Sequence, residues 1–305
     1  MSVVLKPTKR AKERILIYGG GGTGKTYDAL TVAHRCLGPG QTMWVIDTDN
    51  AVGSLLEEVP AFEQLGIAFD GYWDGETFEH DDTFPTDPDG KVRIFHAKNW
   101  DEIVAAVDVV RSDASGQDWI LFDSVSQPWT WVQEWFVRRT HGEDYADWLI
   151  DWRVQQLASG KAGNQEAQAL LADGAWTFIN AQWKATVTEL VVNPPCHLLL
   201  TAEAKALRSD GKDQKAVRVM YDAVGAKPEA QWALGHKVKT VLIKDKTRGA
   251  NPKRTTTTVK DWGREDRMLD EDQVDDFALG YLRGIAGWRF VKIDEADEAD
   301  EGTEA

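Results

Sequence analysis

The run Gly19-Gly20-Gly21-Gly22-Thr23-Gly24-Lys25-Thr26 fits G-x-x-x-x-G-K-[ST], a phosphate-binding loop. Each part has a chemical reason. Glycines let backbone N–H groups curl around phosphate oxygens. Lys25 brings a point charge toward β- and γ-phosphates, and Thr26 offers a hydroxyl to Mg²⁺. A helix that starts here adds its partial positive charge. The nucleotide-binding set expected from the motif is Gly19, Gly20, Gly21, Gly22, Thr23, Gly24, Lys25, Thr26 and Tyr27. ATP with Mg²⁺ is the ligand pair this chemistry implies.

Further acids and hydroxyls follow apolar runs downstream. Thr42–Ile46 leads into Asp47-Thr48-Asp49, Trp119–Phe122 into Asp123-Ser124, and His197–Leu200 into Thr201 and Glu203. In an open α/β sheet, ligands sit beyond the carboxyl ends of the strands, so these residues are expected near the loop. Asp123 is expected to hold the Mg²⁺ shell together with Thr26. Asp49 is a candidate to orient and polarise an attacking water. Asp47 could do the same, or contact a base or ribose. Thr201 could sense the γ-phosphate.

Alternating elements must position these groups. Ile15–Tyr18 reads as a buried strand, and Thr26 onward as a helix with an apolar face. Further strands are expected over 42–46, 92–95, 119–122 and 197–200. Helices are expected from Asn99 through Val110, around 129–157 and 166–191, and near 274–282. This order implies a mainly parallel sheet flanked by helices. Strand-like alternation over 236–246 and 255–262, across a turn with Gly249 and Pro252, predicts a late antiparallel hairpin. The acidic, Gly- and Pro-rich stretch Gly71–Lys91 reads as an excursion loop. The organisation expected is a basic lead-in over 1–14, one α/β domain over 15–290, and a disordered acidic tail over 291–305.

Composition narrows the classes. The chain has 305 residues, 42% of them hydrophobic, enough for a large core. No apolar run approaches the roughly 18 residues of a membrane span, so no membrane role is expected. Met1-Ser2-Val3-Val4-Leu5-Lys6 lacks the apolar segment of a signal peptide. Cys36 and Cys196 are the only cysteines and give neither a disulfide framework nor zinc spacing. A cytoplasmic setting is expected, a host's if the gene is a phage's. The net charge of −15 excludes a uniformly basic nucleic-acid coat. The acidic tail could compete with nucleic acid or recruit a partner. The chain holds 14 Trp, and Trp176, Ile179, Trp183, Val187 and Leu190 recur at helical spacing, which predicts core packing rather than base stacking.

The loop, Ile46-Asp47-Thr48-Asp49, Leu121-Phe122-Asp123-Ser124 and the late hairpin resemble the RecA-like P-loop ATPase core. Within it they are most similar to compact phage-type proteins of single-strand annealing and recombination. The resemblance implies an α/β, RecA-like P-loop NTPase fold and an ATPase that self-associates into a ring or filament on single-stranded nucleic acid, DNA above all. It gives the water-orienting role to Asp49, one methylene shorter than the family's Glu. It also gives the late pair Lys244 and Lys246, followed by Arg248, a role in a neighbouring subunit's active site, where a cation neutralises phosphoryl-transfer charge. Mobile DNA-binding loops in such proteins correspond to the segment with Lys205, Arg208, Lys212, Lys215, Arg218 and Lys227. Other classes on the same core are a helicase, a helicase loader and a packaging motor. A small-molecule kinase or nucleotide switch is the alternative without nucleic acid. No Asn-Lys-x-Asp guanine signature is present.

Overall fold

The computed structural model describes residues 2–6, 12–38, 40–58, 69–73, 78–79, 91–142, 144–158, 174–208, 213–246, 254–262 and 277–293. The chain runs β1 (Ser2–Lys6), β2 (Arg14–Gly19), α1 (Lys25–Cys36), β3 (Thr42–Asp47), α2 (Ala51–Glu58), β4 (Phe69–Trp73), β5 (Phe78–Glu79) and β6 (Lys91–His96). It continues through α3 (Trp100–Asp113), β7 (Trp119–Asp123), α4 (Ser126–His141), α5 (Tyr145–Ala158) and α6 (Ala175–Trp183). A π-helical turn, Lys184–Thr188, joins α6 to α7 (Glu189–Val192). Then come β8 (His197–Ala206), α8 (Lys215–Tyr221), β9 (Ala226–Pro228), α9 (Leu234–Lys237), β10 (Thr240–Lys246), β11 (Arg254–Asp261) and β12 (Arg289–Ile293).

The main sheet has the order β11-β10-β2-β8-β7-β3-β6-β4-β5, with β9 beside β8. From β10 to β4 every neighbouring pair is parallel. The expected late hairpin is present as antiparallel β10–β11. Strand β8 separates β2 from β7. Thr201, opposite Ile17 of β2, therefore lies between the phosphate loop and Asp123.

Helices cover both faces of the parallel strands, which is why those strands read as continuous apolar runs. Every residue of β3 and β7 is buried. Alternate side chains serve two cores. Leu16, Tyr18, Ile46, Phe122 and Leu200 pack with α3, α4 and α6. Ile15, Ile17, Val45, Leu121 and Leu199 pack with α1 and with Phe277, Tyr281 and Trp288. Burying one such side chain contributes about 1.5–3 kcal/mol. The sheet interior therefore holds the fold, and its polar strand ends are left for chemistry.

The Trp pattern is core, as its spacing predicts. Ile179, Trp183, Val187 and Leu190 are buried. Trp183 stacks on Trp100 at 6.1 Å and meets Trp129 edge-on at 5.2 Å, and Trp176 stacks on Trp129 at 6.4 Å.

Several boundaries differ from the sequence reading. The helical stretch 129–157 breaks at Gly142, whose φ of 70° and N–H bond to Arg138 O end α4. Strand β10 starts at Thr240, because α9 takes residues up to Lys237. The stretch 71–91 holds part of β4 and all of β5, which extend the sheet past β6; strand pairing overrides the loop-like composition there, and the rest lies outside the described residues. The lead-in contains β1, paired antiparallel with β12 from Ser2–Ile293 to Lys6–Arg289. The strand partner thus carries order two or three residues into the stretch expected as tail. Residues 294–305 lie outside the described residues.

Candidate nucleotide site

The glycine loop turns between β2 and α1. Gly22 and Gly24 have φ of 70° and 88°, left-handed values that glycine tolerates and other residues rarely adopt. Thr23 Oγ1 braces the turn by donating to Gly20 O at 2.9 Å. Lys25 is the first residue of α1, and its Nζ folds back to donate to Gly19 O and Gly20 O, each at 3.0 Å. The ammonium thus already hangs over the loop that phosphates would fill.

Three threonines from separate elements converge on Asp123. Thr26 Oγ1 donates to Asp123 Oδ2 at 2.7 Å. Thr201 Oγ1 donates to Asp123 Oδ1 from β8. Thr48 N–H donates to Asp123 O at 2.7 Å from the turn after β3. Thr201 is fully buried and engaged by Asp123. Thr201, expected as a γ-phosphate sensor, thus stands hydrogen-bonded to Asp123.

Asp47 and Asp49 separate clearly. Asp47 is fully buried and accepts backbone N–H bonds from Val52 at 3.1 Å and Ala51 at 3.3 Å, so it caps the start of α2. Asp49 is exposed, and its Oδ1 accepts from Ala51 N–H at 3.2 Å. The Asp47, Asp49 and Asp123 carboxylates offer oxygens that all lie within 4.8 Å of one another. Burial, then the charges of Asp123 and Asp49, push the Asp47 carboxyl up to about 7. Burial pushes Asp123 up to about 6, against hydrogen bonds from Thr201 and Thr26 and the charge of Lys25. Crowded carboxylates resist full ionisation, and a divalent cation among them removes that penalty.

A protein-family model described as an AAA domain matches residues 11–241. The chain belongs to this AAA-domain family. The match takes in the loop, Asp47, Asp49, Asp123 and Thr201, and it stops short of the end of β10. The chain is also similar to the crystal structure of the RadB recombinase, at 11% identity over 85% of this chain and 84% of that one, with a TM-score of 0.38. No curated protein matches it. The matched part of the chain has a mainly parallel sheet with helices on both faces, and the antiparallel hairpin β10–β11 follows it.

That hairpin runs beside the loop. Lys244 pairs with Gly19 in the parallel register of β10 and β2. A Cβ on Gly19 would stand 2.3 Å from Lys244 O, so only glycine permits this approach. The Lys244 ammonium is buried and ion-paired with Asp28 of α1. Lys244, expected to serve a neighbouring subunit, thus has its charge paired with Asp28 of its own chain. Lys246, two residues on, is exposed. Arg248 lies outside the described residues.

Two of the six cations in the cationic segment are ion-paired among the described residues. Lys205 pairs with Glu229 at 2.7 Å, and Lys227 with Asp213. Arg218 Nη2 donates to Arg208 O at 2.6 Å. Lys215 is exposed at the start of α8, and Lys212 lies outside the described residues. The sequence reading missed the cleft beside these groups. It measures about 820 Å³ and includes Trp129, Tyr145, Trp232, Lys205, Arg208 and Lys227 in its lining. Trp232 is 48% exposed, and its lone place in a short, irregular segment was the available signal.

Among the described residues, no helix is long and apolar enough to cross a membrane.

Proposed function

We propose that this chain is a Mg²⁺-dependent ATP hydrolase that acts on single-stranded nucleic acid, DNA first, as a self-associating phage-type RecA-like protein of recombination or annealing. The observation that carries the reading is the convergence of Thr26, Thr201 and the exposed Asp49 on Asp123, at the mouth of the Lys25 loop.

The residues fit a magnesium nucleotide. The loop supplies N–H groups and Lys25, Thr26 supplies a hydroxyl, and Asp123 supplies a carboxylate already hydrogen-bonded to Thr26. Thr26 and Asp123 would hold Mg²⁺, which would supply positive charge against the phosphate oxygens. Lys25 would exchange its carbonyl partners for phosphate oxygens. Thr201 holds Asp123 in its rotamer. Asp49, exposed beside Asp123, is the carboxylate free to orient a water, whereas Asp47 is occupied in capping α2. The aromatic and cationic cleft beyond β8 is the surface on which bases could stack and phosphates pair. Lys246 keeps the role in trans, and self-association follows from it.

Asp123→Asn is expected to lower turnover about 100-fold while ATP affinity changes much less, because the loop still holds the phosphates. Asp49→Asn is expected to lower kcat about 100-fold at unchanged affinity, the contribution of a positioned base. Steady-state phosphate release and equilibrium nucleotide binding on each variant check both. Full turnover in Asp49→Asn, with loss in Asp47→Asn, would reverse the two aspartates. For the reading as a whole, the test is phosphate release by the full chain with and without single-stranded DNA.

A further inference from the structure

The end of the β10–β11 hairpin presents an arrangement that stability alone does not explain. Lys246 and Arg254 are direct partners in the antiparallel register, and both are exposed. Residues directly opposite on such a ladder project from the same face, and like charges there repel. Neither side chain has an acidic partner among the described residues. Two residues back, on that same face, Lys244 reaches Asp28 of α1, so the face is the one that carries the phosphate-loop helix.

Arg254 reaches further. A Cβ built on Gly24 would lie 3.4 Å from Arg254 Nη1 and 3.5 Å from its Cζ. The guanidinium therefore rests against the loop glycine that precedes Lys25. A planar cation with free donors, beside N–H groups arranged for an anion, is built to receive phosphate oxygens in pairs. The neighbouring Lys246 makes the spot more cationic still. An anion held between the strands and the loop would offset the repulsion between Lys246 and Arg254.

We infer that Arg254 is a phosphate-binding cation acting in cis, contacting the nucleotide held by the phosphate loop of its own chain. The inference rests on the nucleotide reading above and adds to it. Residue 254 lies beyond the part matched to the family, and its side chain was not among the site residues expected from sequence. The subunit geometry it implies is specific. Each loop carries its own Arg254.

The test uses the full-length protein and calorimetric titration with MgATPγS. Arg254→Ala is expected to weaken binding roughly 10- to 100-fold, the range for a lost charge-assisted hydrogen bond pair. Its melting temperature should stay at or above that of wild type, since an exposed, repelled charge has been removed. Arg254→Lys should retain part of the affinity, because the charge stays and the fork is lost. Mixing Arg254→Ala with Lys25→Ala protein should restore no ATP turnover, because every loop then lacks one of two groups that must sit on the same chain. Binding by Arg254→Ala within twofold of wild type would overturn the inference and leave the ATPase reading standing. Recovered turnover in the mixture would overturn it too, by placing Arg254 in trans. Failure of wild-type protein to bind MgATPγS would overturn both.

Discussion

Lys25→Ala is expected to reduce ATP turnover by at least about 100-fold and to weaken MgATP binding. The ammonium is the one loop group that carries a full charge. It stands at the first turn of α1, held over the loop by Gly19 O and Gly20 O at 3.0 Å. Phosphoryl transfer places charge on oxygens that this group faces, and removing one such donor costs about 10²–10³ in rate. The fold should tolerate the change. Lys25 is only partly buried, and one of the two carbonyls it leaves belongs to the exposed Gly20. An unchanged melting temperature with near-zero phosphate release is therefore the expected pair of results. Undiminished turnover would place the chemistry elsewhere.

Asp28→Ala is expected to destabilise the protein by about 3–5 kcal/mol, the cost of leaving a buried charge without its partner. The Lys244 ammonium is 1% exposed and the Asp28 carboxylate 5%. Their pair ties β10 to the phosphate-loop helix, next to the Gly19 contact. Lys244→Ala should be costly as well, because it takes the facing cation from the buried Asp28 carboxylate. A double replacement, Asp28→Leu with Lys244→Met, should recover most of the loss, since an apolar pair needs no solvation. Urea denaturation of the three variants measures this. If Lys244→Ala keeps full stability and loses only turnover, the lysine is a catalytic cation and the burial argument fails.

Much of this was legible in the sequence, for identifiable reasons. A phosphate loop is a local motif: spacing, glycine and a following helix are all written within a few residues. Parallel strands buried on both faces leave unbroken apolar runs, so the polar ends Asp47 and Asp123 could be aligned before the sheet order was known; Thr201, read as an end, lies inside β8, which runs on to Ala206. The Trp-rich helices revealed their buried side through spacing. What stayed hidden depends on partners remote in the chain. Alternation in Thr240–Lys246 shows that Lys244 and Lys246 share a face, but not that Asp28 waits opposite the first. Nothing near Asp47 signals that its carboxylate caps α2. The approach of Arg254 to Gly24 exists only once β10 has docked beside β2. Strands β4 and β5 sit in polar sequence because pairing, not composition, makes them. The acids within the Lys205–Lys227 segment were visible in the sequence, but not that Asp213 pairs with Lys227 and Glu229, just beyond it, with Lys205.

The most direct test of the central claim is the rate of phosphate release from ATP by the wild-type chain, with and without Mg²⁺ and with and without single-stranded DNA. The account predicts hydrolysis that requires Mg²⁺ and rises severalfold when single-stranded DNA is added. No Mg²⁺-dependent hydrolysis, or hydrolysis at the same rate at every DNA concentration, would contradict it.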